Sequence, residues 1–94
     1  MSKIRQSAKG EDCQVRLVGV CNGNPKTTVF AHLGGGGMGT KMPDLFGSYC
    51  CSSCHDVIDG RRHTTMSPDE IKLDFYDGMV RTQLILIEKG LIKA

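Results

Sequence analysis

The segment Cys51-Ser-Ser-Cys54-His55 is the most informative part of the sequence, because it combines two thiols at metal-ligand spacing with an adjacent imidazole. Two thiolates separated by two residues can bind one tetrahedral ion from a single tight turn. A structural zinc site normally has four ligands, so two more must come from elsewhere. Cys13 and Cys21 are the other cysteines outside the Cys50–Cys51 pair, and their gap suits a loop with converging ends. We therefore predict one structural zinc ion bound by Cys13, Cys21, Cys51 and Cys54.

Other interpretations of the cysteines stay open at this point. Cys50 could replace Cys51, although it lies one residue off the Cys-x-x-Cys spacing. The cysteines could instead be small buried apolar side chains, a common role for free cysteine. A redox motif is disfavoured, because it normally lies in a βαβ context that this sequence lacks.

The chain of 94 residues predicts a single domain, 1–94. A domain this short buries only about 60–65% of its unfolded surface, so its core needs further stabilisation by disulfides, a bound metal ion or oligomerisation. The N-terminus is polar, which argues against a signal peptide, and no run approaches 18 apolar residues, which argues against a membrane span. We expect a cytoplasmic location, where disulfides are rare and clustered cysteines favour a metal.

The predicted elements run strand, strand, glycine loop, helix and longer helix, which indicates an α+β domain. In chain order they are a poorly ordered basic arm over 1–12, strands over 13–21 and 27–33, a glycine loop over 34–39, irregular chain over 40–49 with a turn at 44–46, and a helix over 55–62.

A long C-terminal helix is predicted over 67–90. Ser67 is placed as N-cap, Pro68 stands at the first helical position and Glu70 completes a capping box. Gly90 is placed to end the helix, and Gly78 to weaken or bend it.

This helix carries a broad apolar stripe for so small a protein. Such a stripe either covers the two strands or forms part of a homodimer interface, so we expect a monomer or a homodimer through this helix. The main stripe comprises Leu73, Tyr76, Val80, Leu84, Ile87 and Leu91, widened by Ile71, Phe75, Met79 and Leu86.

The net charge of +2 is unevenly distributed. Residues 1–62 hold eight Lys or Arg against five Asp or Glu, whereas residues 63–94 hold four against five. A mildly basic front half is compatible with phosphate contacts but does not by itself indicate nucleic acid.

The three histidines offer a second constellation. His32 ends the second predicted strand, and His55 begins the next predicted helix. Asp59 follows His55 by four residues and shares its helix face, so the pair could hold one metal ion. His63 would lie near the same face if that helix continued.

The strand segment Ala31-His32-Leu33, the loop after it and the stretch from Leu45 to His55 resemble the HNH or His-Me finger (ββα-metal) nucleases. The similarity is greatest to small phage- and prophage-encoded members and spans roughly residues 10 to 65. It implies a small zinc-stapled ββα-metal domain, here with an additional C-terminal helix. It also implies that His32 is the general base and that His55 binds a catalytic metal, with Asp59 as a second ligand.

Two positions depart from the family pattern. Ala31 stands where many members have an Asp or His ligand, and the middle Asn of the motif has no clear counterpart. Asp44, in the loop before the helix, could supply a carboxylate instead, and His63 is a further candidate ligand.

The resemblance implies a metal-dependent endonuclease that hydrolyses phosphodiester bonds. Its cofactors would be the structural zinc and a second divalent metal, Mg²⁺, Mn²⁺, Ni²⁺ or Zn²⁺. DNA is the expected substrate and RNA the alternative, with phosphate contacts from Arg61, Arg62, Gly35 and Gly36. The competing hypotheses are a non-catalytic zinc-binding module that recognises nucleic acid or protein, and a zinc adaptor that docks through the C-terminal helix.

Overall fold

Two short strands and three helices form the regular structure of residues 3–33 and 43–93, the part of the chain that the computed structural model describes. This arrangement confirms the α+β class. The predicted glycine loop, with Gly35 and Gly36, lies outside the described residues. In chain order the elements are α1 (Lys3–Ser7), a 3-10 turn (Pro25–Thr27), β1 (Val29–His32), β2 (Gly47–Cys50), α2 (Ser52–Ile58) and α3 (Pro68–Glu88).

The two strands pair antiparallel, with Val29 opposite Cys50 and His32 opposite Gly47. β2 corrects the prediction of irregular chain at residues 47–49, whereas the turn predicted at 44–46 is present. The β2 sequence Gly-Ser-Tyr-Cys has no apolar alternation, because all four residues are buried. β1 and α3 both contact this strand, so burial rather than a local pattern makes it a strand.

The predicted first strand over 13–21 is wrong. The chain there makes turns, with Arg16 at φ 54° and Gly19 at φ 72°, backbone angles that an extended strand does not contain. The turns bury Val15 and Leu17 in the core. Burial of these side chains and convergence of the flanking cysteines override the local alternation.

The prediction of a poorly ordered arm over 1–12 is also corrected. Lys3–Ser7 forms helix α1, and Ala8 behind it is only 1% exposed. The Ser7 hydroxyl hydrogen bonds to the Tyr49 hydroxyl at 2.7 Å. This contact with β2 gives a short polar segment a fixed place that its own composition does not predict.

Helix α2 begins and ends earlier than the predicted helix over 55–62. Cys51 is its N-cap, with its sulfur accepting the Cys54 amide N–H, so the cysteine pair itself starts the helix. Gly60, at φ 79°, follows the C-cap Asp59 and stops it. The helix does not continue to His63, so this residue lies on the exposed loop after α2 and does not share the helix face of His55.

Helix α3 has the predicted capping box, with reciprocal hydrogen bonds between Ser67 and Glu70. It ends at Glu88, with Lys89 as C-cap and Gly90 at φ 74°. Within residues 3–33 and 43–93, no helix has both the length and the apolar character needed to cross a membrane.

The face of α3 that packs on β2 is not the predicted main stripe. The Ser48 hydroxyl donates to the Phe75 carbonyl at 3.1 Å, and the Thr82 hydroxyl accepts the Tyr49 amide at 3.0 Å. These bonds make α3 the neighbour of β2 on the side away from β1. The buried residues of the helix are Phe75, Gly78, Thr82 and Leu86, whereas Leu73, Tyr76, Val80, Leu84 and Ile87 are exposed.

Candidate functional site

Four cysteines converge on one point of the structure, which we call the four-sulfur site. Their sulfur atoms all lie within 4.8 Å of one another. Cys13 and Cys21 bracket the turns of the N-terminal segment, and Cys51 and Cys54 lie at the start of α2. In the part of the chain that the structure describes, this is the one group of three or more His, Cys, Asp or Glu side chains close enough to share a metal ion.

Backbone amides already point at two of these sulfurs. The Arg16 amide donates to the Cys13 sulfur, and the Cys54 amide to the Cys51 sulfur, each at 3.4 Å. Arg16 reaches this position through its left-handed backbone conformation. Amide hydrogen bonds stabilise thiolates, so the local backbone prepares the site for a cation.

The thiols also act on one another's ionisation. Hydrogen bonds from the Cys50 and Cys54 thiols hold the pKa of Cys13 far below its ordinary value, because they stabilise its thiolate. The same bond to Cys13 raises the pKa of Cys54, and desolvation by burial raises the pKa of Cys21. A cation that binds all four sulfurs must displace the remaining thiol protons.

The spacing fits one tetrahedral metal ion. Zinc–sulfur bonds of about 2.3 Å separate the sulfurs of a tetrahedral site by about 3.8 Å. The Cys21 and Cys51 sulfurs are 3.9 Å apart, and the 4.8 Å limit for the group leaves only small movements to close the site. Cys50 lies in β2 beside this group rather than in it, so the alternative in which it replaces Cys51 is not the arrangement seen.

His32 lies at the end of β1 with its imidazole held on two sides. Its Nε2 atom is 2.8 Å from Oδ1 of Asp44, and its ring meets the Phe30 ring edge-on at 5.2 Å between centroids. The His32 side chain is 25% exposed, so it is accessible to a ligand while its orientation is fixed. The same Asp44 oxygen is 3.2 Å from Nε of Arg5.

A cavity of about 340 Å³ opens beside His32. Its walls are mainly apolar side chains from α2 and α3, with Lys72 as a basic group at the same cavity. The cavity therefore combines mainly apolar walls with two residues that carry nitrogen groups, His32 and Lys72, a composition common in ligand-binding clefts. The other lining residues are Leu33, Val57, Ile58, Pro68, Ile71 and Phe75.

His55 and Asp59 form the predicted i, i+4 pair on α2. The His55 Nε2 atom is 3.2 Å from Oδ2 of Asp59. The Arg61 guanidinium lies at the same place, 3.2 Å from Asp59 and 3.1 Å from Asp56. The side chains of His55 and Asp59 therefore lie together, and the Arg61 guanidinium provides the positive charge beside Asp59.

The remaining candidate ligands do not form a group of three with this pair among the described residues. Asp44 contacts His32 rather than joining His55 and Asp59 in a group of three ligands. Arg62 and His63 are exposed on the loop after α2. Sequence reasoning missed Arg5, which lies 39 residues from Asp44 in the chain and carries no local signal of that contact.

The protein is a small α+β domain that combines a four-cysteine group able to hold a metal ion with an oriented His–Asp pair. The chain belongs to the family described as "Putative nuclease YbcO", whose model matches residues 2–91. "Putative nuclease YbcO" of Escherichia coli (strain K12) and "Putative nuclease ybcO" of Enterobacteria phage 82 are each 48% identical over the full length of both chains.

A solved structure supports the same relationship. It is described as "Structure of a putative bacteriophage protein from Escherichia coli str. K-12 substr. MG1655", and its chain is 45% identical to this one. The TM-score between the two folds is 0.80, and the match covers 94% of this chain and 100% of the other. The resemblance to nuclease-like phage proteins is therefore supported in sequence and in fold.

Proposed function

We propose that this protein is a metal-dependent endonuclease of HNH type that hydrolyses phosphodiester bonds, with DNA as its substrate and RNA as the alternative. The relatives of this chain carry the name "Putative nuclease". One observation carries the proposal: His32, a partly exposed histidine at the end of β1, is oriented by the Asp44 carboxylate beside a cavity. Such an imidazole is suited to remove a proton from an attacking water near neutral pH.

His32 is the proposed general base. An ionised Asp44 has no proton to donate, so the contact between them makes His32 Nε2 the donor. In the neutral imidazole this leaves Nδ1 as the basic nitrogen. Asp44 then acts as a positioning residue that selects the tautomer and holds the ring.

The proposed metals occupy two different places. Cys13, Cys21, Cys51 and Cys54 would hold a structural zinc ion that would join the N-terminal segment to α2. His55 and Asp59 would hold the catalytic divalent cation, and such a cation would supply positive charge beside the leaving oxygen.

Arg61 must move aside for a cation to bind His55 and Asp59. It is 60% exposed, so its guanidinium can turn outward at little cost. We propose that Arg61 and Arg62 then contact flanking phosphates, as arginines on exposed loops commonly do.

One observation favours the competing non-catalytic module. In the described chain, the four cysteines are the one group with three or more metal-ligand side chains, and His55 and Asp59 supply only two. A protein that only recognises nucleic acid or protein needs the four-sulfur site and no second metal.

The deciding experiment is a plasmid-nicking assay of the wild type and of His32→Ala, with Mg²⁺, Mn²⁺, Ni²⁺ and Zn²⁺ tested separately and a structured RNA in parallel. Loss of a general base should lower the rate by about 10²–10⁴-fold. His32→Gln keeps a hydrogen-bonding side chain and guards against misfolding, and His63→Ala is the matched histidine control. If the wild type cleaves neither nucleic acid with any of the metals, the enzyme proposal fails and the binding module replaces it.

A further inference from the structure

An exposed apolar stripe runs along α3 on the side opposite its buried face. It consists of Leu73, Tyr76, Val80, Leu84 and Ile87, which we call the outer stripe; each is between 36% and 63% exposed. At 1.5 Å per residue it extends over about 21 Å of helix. The helix already buries another face on β2, so the outer stripe is not needed for packing within the described chain.

The spacing of the outer stripe is symmetric about Val80. The intervals are three, four, four and three residues, so the stripe has the same pattern in both directions. A surface with this property is self-complementary under a two-fold axis, because each residue has a counterpart at equal distance on the other side. Two copies packed antiparallel would bring Leu73 against Ile87, Tyr76 against Leu84 and Val80 against itself.

The charges flanking the outer stripe favour the same arrangement. Residues 68–79 of α3 carry four acidic side chains and one basic one, whereas residues 81–88 carry one of each. Lys89 and Lys93 follow the end of the helix, and Lys89 pairs with Glu11 at 3.0 Å. Antiparallel packing therefore separates the acidic halves of the two helices, whereas parallel packing puts them side by side. Separation of like charges selects orientation and register.

A different occupant is less compatible with these features. The acidic half of α3 repels both a nucleic-acid backbone and an anionic membrane surface. Val18, 81% exposed, lines one surface depression with Leu73 and extends the apolar surface at that end. From these observations we infer that the protein forms a homodimer in solution through the outer stripes of two antiparallel α3 helices, independently of whether it cleaves nucleic acid.

Sedimentation of the full chain from low- to high-micromolar concentration tests the association. The wild type should change from monomer to dimer, and Val80→Asp, which places two carboxylates at the axis, should stay monomeric. Val29→Asp, which adds the same charge to an exposed apolar position on β1, is the matched control and should still dimerise. Circular dichroism and metal content should match the wild type in each variant.

Mixing two variants tests the antiparallel register. Tyr76→Glu and Leu84→Lys should each be monomeric alone, whereas an equimolar mixture should form a heterodimer, because each Glu meets a Lys and the other contact stays native. A wild type that remains monomeric at every concentration overturns the inference, and the outer stripe would then be a docking surface for a different protein. Dimers that survive Val80→Asp, or folded variants that fail to pair when mixed, overturn it equally.

Discussion

The Nε2 atom of His32 lies 2.8 Å from Oδ1 of Asp44, and this contact joins the end of β1 to the turn that leads into β2. The two residues are 12 positions apart, and the strand pairing brings them together. The Leu33 amide donates to the Phe46 carbonyl at 2.8 Å, which continues the pairing just past the strands. The sheet therefore fixes the position of the imidazole and of the carboxylate that orients it.

Replacing Asp44 with Asn should lower the nuclease rate without removing substrate binding. The Asn side chain has a similar size, but it can donate as well as accept a hydrogen bond, so it no longer selects one tautomer of His32. Loss of such an orienting partner lowers activity by about 10–100-fold. We expect the loss in kcat, with KM nearly unchanged, and partial rescue by Asp44→Glu. Arg5→Gln removes only the outer partner of Asp44 and should have the smaller effect. A full-rate Asp44→Asn enzyme would show that the contact has no part in the chemistry.

His55→Ala should lose activity in a way that excess metal partly restores. His55 is proposed to hold the cation, so its removal weakens metal binding while the base remains. His32→Ala should not respond to added metal, because proton removal is the function lost. Activity is measured against Mg²⁺ or Mn²⁺ concentration for both variants. Identical metal responses would contradict the assignment of base and ligand.

One tightly bound zinc ion per chain is expected in protein purified without added metal, and Cys54→Ser should unfold the chain. A structural metal contributes directly to folding free energy, and this core is too small to lose it. Cys50→Ala, which alters a buried cysteine outside the four-sulfur site, is the control and should keep its zinc. Elemental analysis and thermal melts give the readouts. A Cys54→Ser variant with a cooperative melt at the wild-type temperature would refute the structural role.

Gly78→Ala should destabilise the protein, although alanine is the better helix former. A Cβ atom at Gly78 would lie 2.9 Å from the Gln14 carbonyl oxygen and 3.0 Å from the Val15 Cα, both backbone atoms. Overpacking costs about 1–3 kcal/mol and the gain in helix propensity returns about 1 kcal/mol, so a net loss of about 1 kcal/mol is expected.

The measurement is a denaturant or thermal unfolding curve. For a domain of this size, 1 kcal/mol corresponds to a fall in Tm of roughly 4–8 °C. Asp77→Ala, at the exposed neighbouring position, should leave Tm almost unchanged. A higher Tm for Gly78→Ala would mean that α3 does not need this close approach to the N-terminal segment.

The long helix shows what local sequence could predict. Its capping box joins Ser67 to Glu70, three residues away, and the glycine that follows its C-cap is Gly90, so the information lies within single turns. The two cysteines at the start of α2 are similarly local. The larger cysteine set was predicted from the Cys51–Cys54 spacing and from the need of a structural zinc site for two further ligands.

The strands show where such reasoning fails. The segment from Cys13 to Cys21 alternates like a strand but turns at Arg16, whereas Gly47–Cys50 has no strand pattern and is one. In both places the partners are distant in the chain: Phe75 and Thr82 of α3 hydrogen bond to β2, and Arg81 of α3 donates to the Gln14 carbonyl. A pattern of a few residues does not record those partners.

Local sequence patterns predict the elements and ligands whose interactions span a few residues: the capped helix α3, the cysteine pair that begins α2, and the His55–Asp59 spacing. The contact between Asp44 and His32, and the direction of the outer stripe of α3 away from the sheet, depend on how the whole chain packs. The physical reason is the sequence distance that separates the partners of each interaction. Caps and turns are satisfied within one turn of backbone, whereas strand pairing and helix orientation depend on which distant apolar surfaces are removed from water together.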